Sequence, residues 1–125
     1  MCSSDLMVID DSRAIRMILS GILGELGYEV KQAVNGKDAL AQAEQNPDLQ
    51  LFLVDWNMPE MNGLEFVQHL RKDARFAATP LMMVTTETEM HQVMKALEAG
   101  ANEYVMKPFT RDMIEEKLRM IGAVQ

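Results

Sequence analysis

Four short apolar runs, each followed directly by a polar side chain, constrain this chain more than any other feature. The runs cover residues 6–9, 51–54, 81–84 and 104–106. Segments with helical periodicity separate them, and this alternation predicts repeated strand–helix units and a parallel sheet. The first three runs are apolar throughout. We therefore expect an α/β fold in which helices cover these three central strands on both faces.

A further strand and five helices complete the predicted pattern. Residues 28–34 alternate only partly between apolar and polar positions, which indicates an edge strand. Ser12 is suited to begin the first helix and Gly27 to follow its end. The expected inward-facing residues are Ile15, Ile18, Leu19, Ile22 and Leu26 in the first helix, Leu64, Val67 and Leu70 in the third, Met94 and Leu97 in the fourth, and Ile114, Leu118 and Ile121 in the fifth.

Polar residues at the ends of these runs are the candidate functional group. Asp10 and Asp11 follow the first run, Asp55 and Thr85 follow the next two, and Lys107 follows the last. A single Asp after a strand is more often a turn residue or a helix cap. Together, however, the five residues meet at the carboxyl edge of the predicted sheet, where ligands bind in such folds. Three converging carboxylates predict a site for a hard cation such as Mg²⁺, with an anion beside the lysine and the hydroxyl.

Size, charge and composition exclude several classes of protein. The 125 residues suit one domain, 1–125. A net charge of −7 without a basic cluster disfavours nucleic-acid binding. A lone Cys2 leaves no partner for an internal disulfide, and neither His69 nor His91 has ligand-like neighbours. Since no apolar stretch reaches the roughly twenty residues of a membrane span, we expect a cytoplasmic protein without membrane contact.

The same polar residues and the loop after the third strand closely resemble the receiver domain of two-component response regulators, over essentially the whole chain. The likeness is greatest to single-domain chemotaxis regulators of the CheY type. It implies a doubly wound, flavodoxin-like (βα)5 sandwich with five parallel strands in the order 2-1-3-4-5, a monomer, and no output domain. The motifs that carry it are Asp10-Asp11, Asp55-Trp56-Asn57-Met58-Pro59, Thr85, Tyr104 and Lys107-Pro108-Phe109-Thr110.

The resemblance assigns roles to the acidic residues. Asp55 would accept a phosphoryl group. Asp11, Asp55 and the backbone carbonyl of Asn57 would bind Mg²⁺, and Asp10 would hold a water bound to the metal. These assignments follow from the family pattern at matching positions of this sequence.

The resemblance also implies how the signal would spread. Lys107 would bind a phosphoryl oxygen, and its peptide bond to Pro108 would be cis. Thr85 would donate a hydrogen bond to the phosphoryl group, and the Tyr104 ring would then turn inward. Three features depart from the usual chemotaxis pattern. Thr86 stands where alanine is usual, Glu103 stands where a small residue is usual, and the fourth helix begins with Glu89-Met90-His91 where a more basic start is usual.

The expected partners are proteins. A sensor histidine kinase would donate the phosphoryl group, and a downstream protein, with the flagellar motor switch as one candidate, would bind the product. A chain with twelve methionines exposes several in any case, but a flexible Met-lined face suits partner binding. Together with the resemblance, this predicts a partner surface formed by Met90, Val93, Tyr104, Met113, Lys117 and Met120.

Three functions compete at this stage. The first is a phosphorylation-activated switch, which assists its own phosphorylation and dephosphorylation but is otherwise not an enzyme. The second is a phosphate sink or kinase-binding adaptor without a motor target. The third is a phosphatase of the haloacid-dehalogenase type, which needs a second Asp two residues after its nucleophile. Asn57 occupies that position, and an amide cannot act as a general acid or base, so we disfavour the third.

Overall fold

The computed structural model describes residues 4–56, 61–86 and 90–121, apart from the side chains of Ser4 and Met90. Strands and helices alternate along the chain, as predicted. In chain order the elements are β1 (Ser4–Ile9), α1 (Arg13–Glu25), β2 (Tyr28–Ala33), α2 (Gly36–Gln45), β3 (Leu51–Asp55), α3 (Gly63–Arg71), a short 3₁₀ helix (Ala74–Phe76), β4 (Leu81–Thr85), α4 (Met90–Ala99), β5 (Glu103–Met106) and α5 (Arg111–Met120).

All neighbouring strands pair in parallel, in the order β2-β1-β3-β4-β5. The predicted fold class and strand order are therefore confirmed, and β2 is an edge strand. The pairing places Asp55 opposite Val84, and Thr85 opposite Met106. The carboxyl ends of β3, β4 and β5 consequently lie side by side.

Helices cover both faces of the sheet, and each face has its own core. On one face, α1 and α5 pack against alternate residues of the strands. On the other, α2, α3 and α4 do the same. The first core includes Leu19, Leu23, Ile114 and Leu118, and the second includes Ala39, Ala43, Phe52, Phe66, Val67, Leu70 and Ala96.

The local signals at the ends of α1 are confirmed. The Ser12 hydroxyl accepts a hydrogen bond from the Ile15 amide, and Gly27 has a φ of 96°. That left-handed conformation carries little penalty in glycine, and it lets the chain leave the helix and enter β2. Asn62 begins α3 in a capping box with Glu65. These caps fix where α1 and α3 begin, beside the carboxyl edge of the sheet.

Two predicted core stripes were partly wrong. Ile18 was predicted to face inward but is 52% exposed, whereas Leu23 is fully buried. In α4, Met94 is 59% exposed, and Val93 and Ala96 are fully buried instead. Ala96 explains the second error, because its small side chain gives a weak hydrophobic signal yet lets the helix approach the sheet closely. The inward face of α4 is thus formed by Val93 and Ala96, with the predicted Leu97 packed partly against the same core.

Within the described parts of the chain, none of the helices is both long and apolar enough to cross a membrane. The longest of them, α1, has 13 residues. A membrane-spanning helix needs about 20.

Candidate functional site

The predicted site residues meet at the carboxyl edge of the sheet. Asp10 directly follows β1, Asp55 and Thr85 are the last residues of β3 and β4, and Lys107 directly follows β5. The other residues of β3 and β4 are buried, as are residues 6–9 of β1, and β5 is anchored by the buried Val105. The convergence predicted from the four apolar runs is therefore present, although the roles of these residues stay predictions.

The acidic cluster combines two buried carboxylates and one exposed carboxylate. Asp10 and Asp55 are 1% and 5% exposed, whereas Asp11 is open to solvent. Each residue offers a carboxylate oxygen, and these oxygens lie within 4.8 Å of one another. Such a group is open to solvent on the side of Asp11 and closed by the sheet on the other.

Among the described residues, Lys107 supplies the one positive charge that pairs with the carboxylates of this cluster. Its Nζ lies 3.1 Å from Asp55 Oδ1 and 3.6 Å from Asp10 Oδ2. The Lys107 amide donates a 2.7 Å hydrogen bond to the Thr85 carbonyl, which fixes the start of the side chain beside β4. The peptide bond from Lys107 to Pro108 is cis, as the resemblance implied.

The crowded carboxylates alter proton affinity at the site. Burial, followed by the charge of Asp10, raises the pKa of Asp55 to about 6, although Lys107 opposes the shift. Burial also raises the pKa of Asp10. Burial alone would lower the pKa of Lys107, but the charges of Asp55 and Asp10 outweigh it and the net shift is upward. One lysine thus compensates the carboxylates only in part.

The donor set fits a hard cation such as Mg²⁺. Asp10 Oδ1 accepts a 2.8 Å hydrogen bond from the Ser12 amide. Asp10 Oδ2 is buried, and no hydrogen-bond partner for it lies among the described residues. A buried carboxylate oxygen without a donor is unfavourable, and a cation near Asp10, Asp11 and Asp55 would relieve that. The predicted backbone ligand, Asn57, lies outside the described residues.

Two residues that the sequence analysis did not identify hold the site in shape. The Arg16 guanidinium donates to the Asp10 carbonyl at 2.7 Å and to Gln32 Oε1 at 3.1 Å. Gly63 lies directly behind the site, where a Cβ atom would come within 2.4 Å of Met83 Cε and 3.3 Å of the Asp55 carbonyl. Gly63 had a detectable signal, as a glycine after a helix-capping Asn62. Arg16 had none, because a basic residue on an exposed helix face is ordinary.

The two proposed switch residues lie on neighbouring strands. Thr85 is fully buried and its hydroxyl donates to the Thr86 carbonyl at 3.3 Å. Tyr104 pairs with Met83 across the β4–β5 ladder and packs partly against the core under α2, α3 and α4. Thr85 thus ends the strand next to the one that ends in Asp55, and Tyr104 lies on the edge strand β5.

The predicted partner surface is only partly exposed. Met113 and Met120 are 36% and 63% exposed on α5. Val93 was predicted to belong to this surface but is fully buried, so that assignment was wrong. Its side chain occupies the inward face of α4, which the sequence pattern had given to Met94. The side chain of Met90 lies outside the described part of the structure.

Protonation of Asp55 provides a test of the site's electrostatics. In the metal-free protein, Asp55→Asn is expected to raise the free energy of unfolding by roughly 1–3 kcal/mol above pH 6. The physical reason is that the folded-state pKa of about 6 exceeds the ordinary value of 3.8. Stability contributed by the protonated form is therefore lost as pH rises between these values, and asparagine avoids that loss.

Denaturant unfolding of both proteins from pH 4 to pH 8, in the presence of a chelator, measures this difference. It should shrink as pH falls from 6 towards 4. Asp112→Asn, which removes an exposed carboxylate from α5, is the control. An Asp55→Asn protein that is less stable than the wild type at pH 8 would contradict the predicted electrostatics.

Comparisons with known proteins agree with this geometry. The sequence matches the family of response regulator receiver domains over residues 6–119. It is 44% identical to the chemotaxis protein CheY1 of Helicobacter pylori over 117 residues, which cover 93% of this chain and 94% of that protein. A chemotaxis protein CheY homologue of Campylobacter jejuni is 43% identical over 114 residues, 90% of this chain and 88% of that protein.

A solved structure has the same fold. Chemotaxis protein CheY4 of Vibrio cholerae superimposes with a TM-score of 0.90 and is 33% identical in sequence. The match covers 96% of this chain and 99% of that one. The strand order and the helices on both faces of the sheet are thus those of a known signalling protein.

Proposed function

Since this chain belongs to the response regulator receiver domain family, we propose that Asp55 is its phosphoacceptor and that phosphorylation there changes its affinity for a protein partner. The single observation that carries the proposal is the position of Asp55. It lies at the end of a buried strand, with two further carboxylates within 4.8 Å and the Lys107 ammonium at 3.1 Å. Chemotaxis is the proposed setting, because the relatives named above are chemotaxis proteins.

The proposed reaction is phosphoryl transfer from a phosphohistidine of a sensor kinase. An Asp55 carboxylate oxygen attacks the phosphorus, the phosphorus–nitrogen bond breaks, and its electron pair stays on the imidazole. Positioning and charge stabilisation do most of the work in such transfers. Lys107 is placed to bind a phosphoryl oxygen, and the Thr85 hydroxyl to donate to another.

Mg²⁺ is the proposed cofactor. It would supply the positive charge that brings an anionic donor and a carboxylate together. Asp11 and Asp55 would be its direct side-chain ligands, with the backbone carbonyl of Asn57 as a third. Asp10 would act through a water, and its buried Oδ2 has no hydrogen-bond partner in the described residues.

Binding, rather than turnover of external substrates, is the proposed output. The family is one of signalling proteins, and the chain carries Asn57 where an aspartyl-phosphate phosphatase needs a general acid. We propose that residues 1–125 act as one receiver domain in the cytoplasm, as a monomer, and that the site assists only its own phosphorylation and dephosphorylation. The proposed partner face comprises Tyr104, Met113, Lys117 and Met120, with Met94 added because it is 59% exposed on α4.

Metal binding is expected to change the fluorescence of Trp56. Trp56 is the only tryptophan of the chain, is 8% exposed and directly follows the proposed phosphoacceptor. A divalent charge one residue away should therefore alter the surroundings of the indole. Asp11→Ala should lower the affinity for Mg²⁺ by at least roughly tenfold, since loss of an outer-shell partner alone has that effect.

Titration of Mg²⁺ with emission as the readout, checked by calorimetry, tests this. Asp48→Ala, which removes an exposed carboxylate before the start of β3, at the opposite end of that strand from Asp55, should bind as the wild type does. If Asp11→Ala binds Mg²⁺ with the affinity of the wild type, the proposed metal site is wrong. An emission that stays flat while calorimetry shows binding would mean only that Trp56 does not sense the metal.

A pull-down tests the proposed function as a whole. Immobilised wild type, kept phosphorylated by a small acyl phosphate and Mg²⁺ in the buffer, is expected to retain a protein that Asp55→Asn does not retain under the same conditions. Omitting the acyl phosphate from the wild-type arm should also abolish retention. Identical captures in all three arms would show that phosphorylation does not control binding, and would favour an adaptor.

A further inference from the structure

Glu103 and Lys117 form an ion pair at the edge of the sheet. Lys117 Nζ lies 3.3 Å from Glu103 Oε1, and the same oxygen accepts a 2.9 Å hydrogen bond from the Tyr104 amide. The Glu103 and Lys117 side chains are 15% and 28% exposed. Glu103 is therefore fixed by two donors and holds the lysine in place.

The lysine held in this way contacts the proposed switch tyrosine. Lys117 Nζ lies 5.0 Å from the centre of the Tyr104 ring. A cation at that distance over an aromatic ring is attracted by the ring's negative face. Because Glu103 fixes the ammonium, the contact with Tyr104 depends on both charged residues.

The contact reaches around the edge of β5. Tyr104 packs against the core under α2, α3 and α4, whereas its neighbour Val105 belongs to the core under α1 and α5. Lys117 belongs to α5, on the same face of the sheet as Val105. The ammonium thus meets the ring at the outer edge of the sheet, and a ring that turned inward towards Thr85 would move away from it.

We propose that the Glu103–Lys117 pair is a latch that holds the Tyr104 ring at the sheet edge and so sets how readily the ring turns inward after phosphorylation. The inference rests on the proposed function, because it assumes that phosphorylation of Asp55 moves Tyr104. Glu103 acts through Lys117 and is a positioning residue.

The latch differs from an ion pair that lies wholly within α5. Arg119 and Glu115 are one helical turn apart, and their side chains are 61% and 25% exposed. Exposed pairs of this kind contribute little to stability. Neither residue has a described contact with Tyr104, so this pair provides a matched control.

The experiment uses fluorotyrosine. The chain has two tyrosines, Tyr28 and Tyr104, on the two edge strands of the sheet. ¹⁹F NMR of the labelled protein therefore gives one signal for the switch and one internal reference, and Tyr28→Phe assigns them. Phosphorylation by an acyl phosphate with Mg²⁺ is followed separately by intact mass.

Glu103→Gln is the principal variant. Its side-chain carbonyl can still accept a hydrogen bond from the Tyr104 amide, but the negative charge that holds Lys117 is lost. In the unphosphorylated protein, the population with the ring turned inward should rise about two- to fivefold, which is the effect of losing a partly exposed cation–π contact. The Tyr104 signal should then move towards its position in phosphorylated wild type, while the Tyr28 signal stays in place.

Two substitutions of the lysine separate charge from packing. Lys117→Met removes the cation and should move the Tyr104 signal at least as far as Glu103→Gln does. Lys117→Arg keeps a cation and should leave the signal closer to that of the wild type. Glu115→Gln, in the control pair, should leave it unchanged.

The possible results separate the latch from the function on which it rests. The latch is overturned by two results together: phosphorylation moves the Tyr104 signal of the wild type, yet unphosphorylated Glu103→Gln and Lys117→Met both give the same Tyr104 signal as the unphosphorylated wild type. It is overturned as well if a phosphorylated wild type shows no change at Tyr104. If intact mass shows no phosphorylation of the wild type, the proposed function itself is wrong and the latch falls with it.

Discussion

Wild-type protein treated with a small acyl phosphate and Mg²⁺ should gain one phosphoryl group, and Asp55→Asn should gain none. The expected effect is a complete loss, because an asparagine amide is not a nucleophile for phosphorus, whereas the Asp55 carboxylate is. Asp10 is a poor substitute, since its Oδ1 accepts the Ser12 amide and the residue is only 1% exposed. Intact-mass analysis, followed by peptide mapping, measures the result.

Chelation and a matched variant make this experiment specific. Removing Mg²⁺ should abolish labelling of the wild type, because Lys107 alone then offsets only part of the repulsion between the donor and the carboxylates. Asp112→Asn, at the exposed start of α5, should be labelled as the wild type is. A phosphoryl group on Asp55→Asn, or labelling that persists in excess chelator, would refute the assignment of Asp55.

Much of this site could be predicted from the sequence, because strand ends in a parallel sheet share one edge. Asp10, Asp55, Thr85 and Lys107 each follow a short apolar run, and burial of those runs fixes where the polar residues lie. Pairing of β1, β3, β4 and β5 then brings them together. The apolar runs and the positions of the polar residues after them were enough for this prediction.

The errors arose where side-chain size competes with periodicity. In α4 the pattern favoured Met94 and Leu97. Leu97 does pack against the core, but Met94 is exposed, and Val93 and Ala96 are the buried residues. A small residue is a weak signal in a hydrophobicity pattern, yet close approach to a sheet selects for it. In α1 the error was Ile18, which is 52% exposed while Leu19 and Leu23 are the buried residues of the helix.

Contacts between distant side chains could not be predicted at all. Two contacts of this kind are the hydrogen bond from Arg16 to the Asp10 carbonyl and the cation–π contact of Lys117 with the Tyr104 ring. Each joins residues that do not lie in the same helix or strand. Their formation depends on helix placement within about an ångström, which no local pattern encodes. Such contacts require the structure, and the latch on Tyr104 is one of them.

Thr85→Ala is expected to accept phosphate at Asp55 but to lose most of the gain in partner affinity that phosphorylation gives the wild type. Moving a two-state equilibrium from 1:99 to 99:1 takes roughly 5.5 kcal/mol of differential stabilisation. A hydrogen bond to a charged group contributes about 1.5–3 kcal/mol. Losing the Thr85 hydroxyl should therefore reduce the gain roughly ten- to a hundredfold.

The remaining stabilisation must come from other contacts to the phosphoryl group, and Lys107 is the first candidate. It already lies 3.1 Å from Asp55 and 3.6 Å from Asp10, and its amide is bonded to the Thr85 carbonyl. Lys107→Arg should be phosphorylated yet poorly coupled, since a planar guanidinium does not replace a compact ammonium. Thr85→Ala and Lys107→Arg should thus accept the phosphoryl group while losing most of the increase in partner affinity that follows it.

Affinity for the protein captured in the pull-down, measured with and without phosphorylation, distinguishes these roles. Thr85→Ser restores the hydroxyl and should recover most of the gain. Thr79→Ala removes a threonine hydroxyl near the opposite end of β4 and should behave as the wild type does. If phosphorylated Thr85→Ala binds its partner with the full wild-type gain, the hydroxyl carries no signal. Tyr104 would then have to sense the phosphoryl group through Lys107 and β5, the strand that joins them.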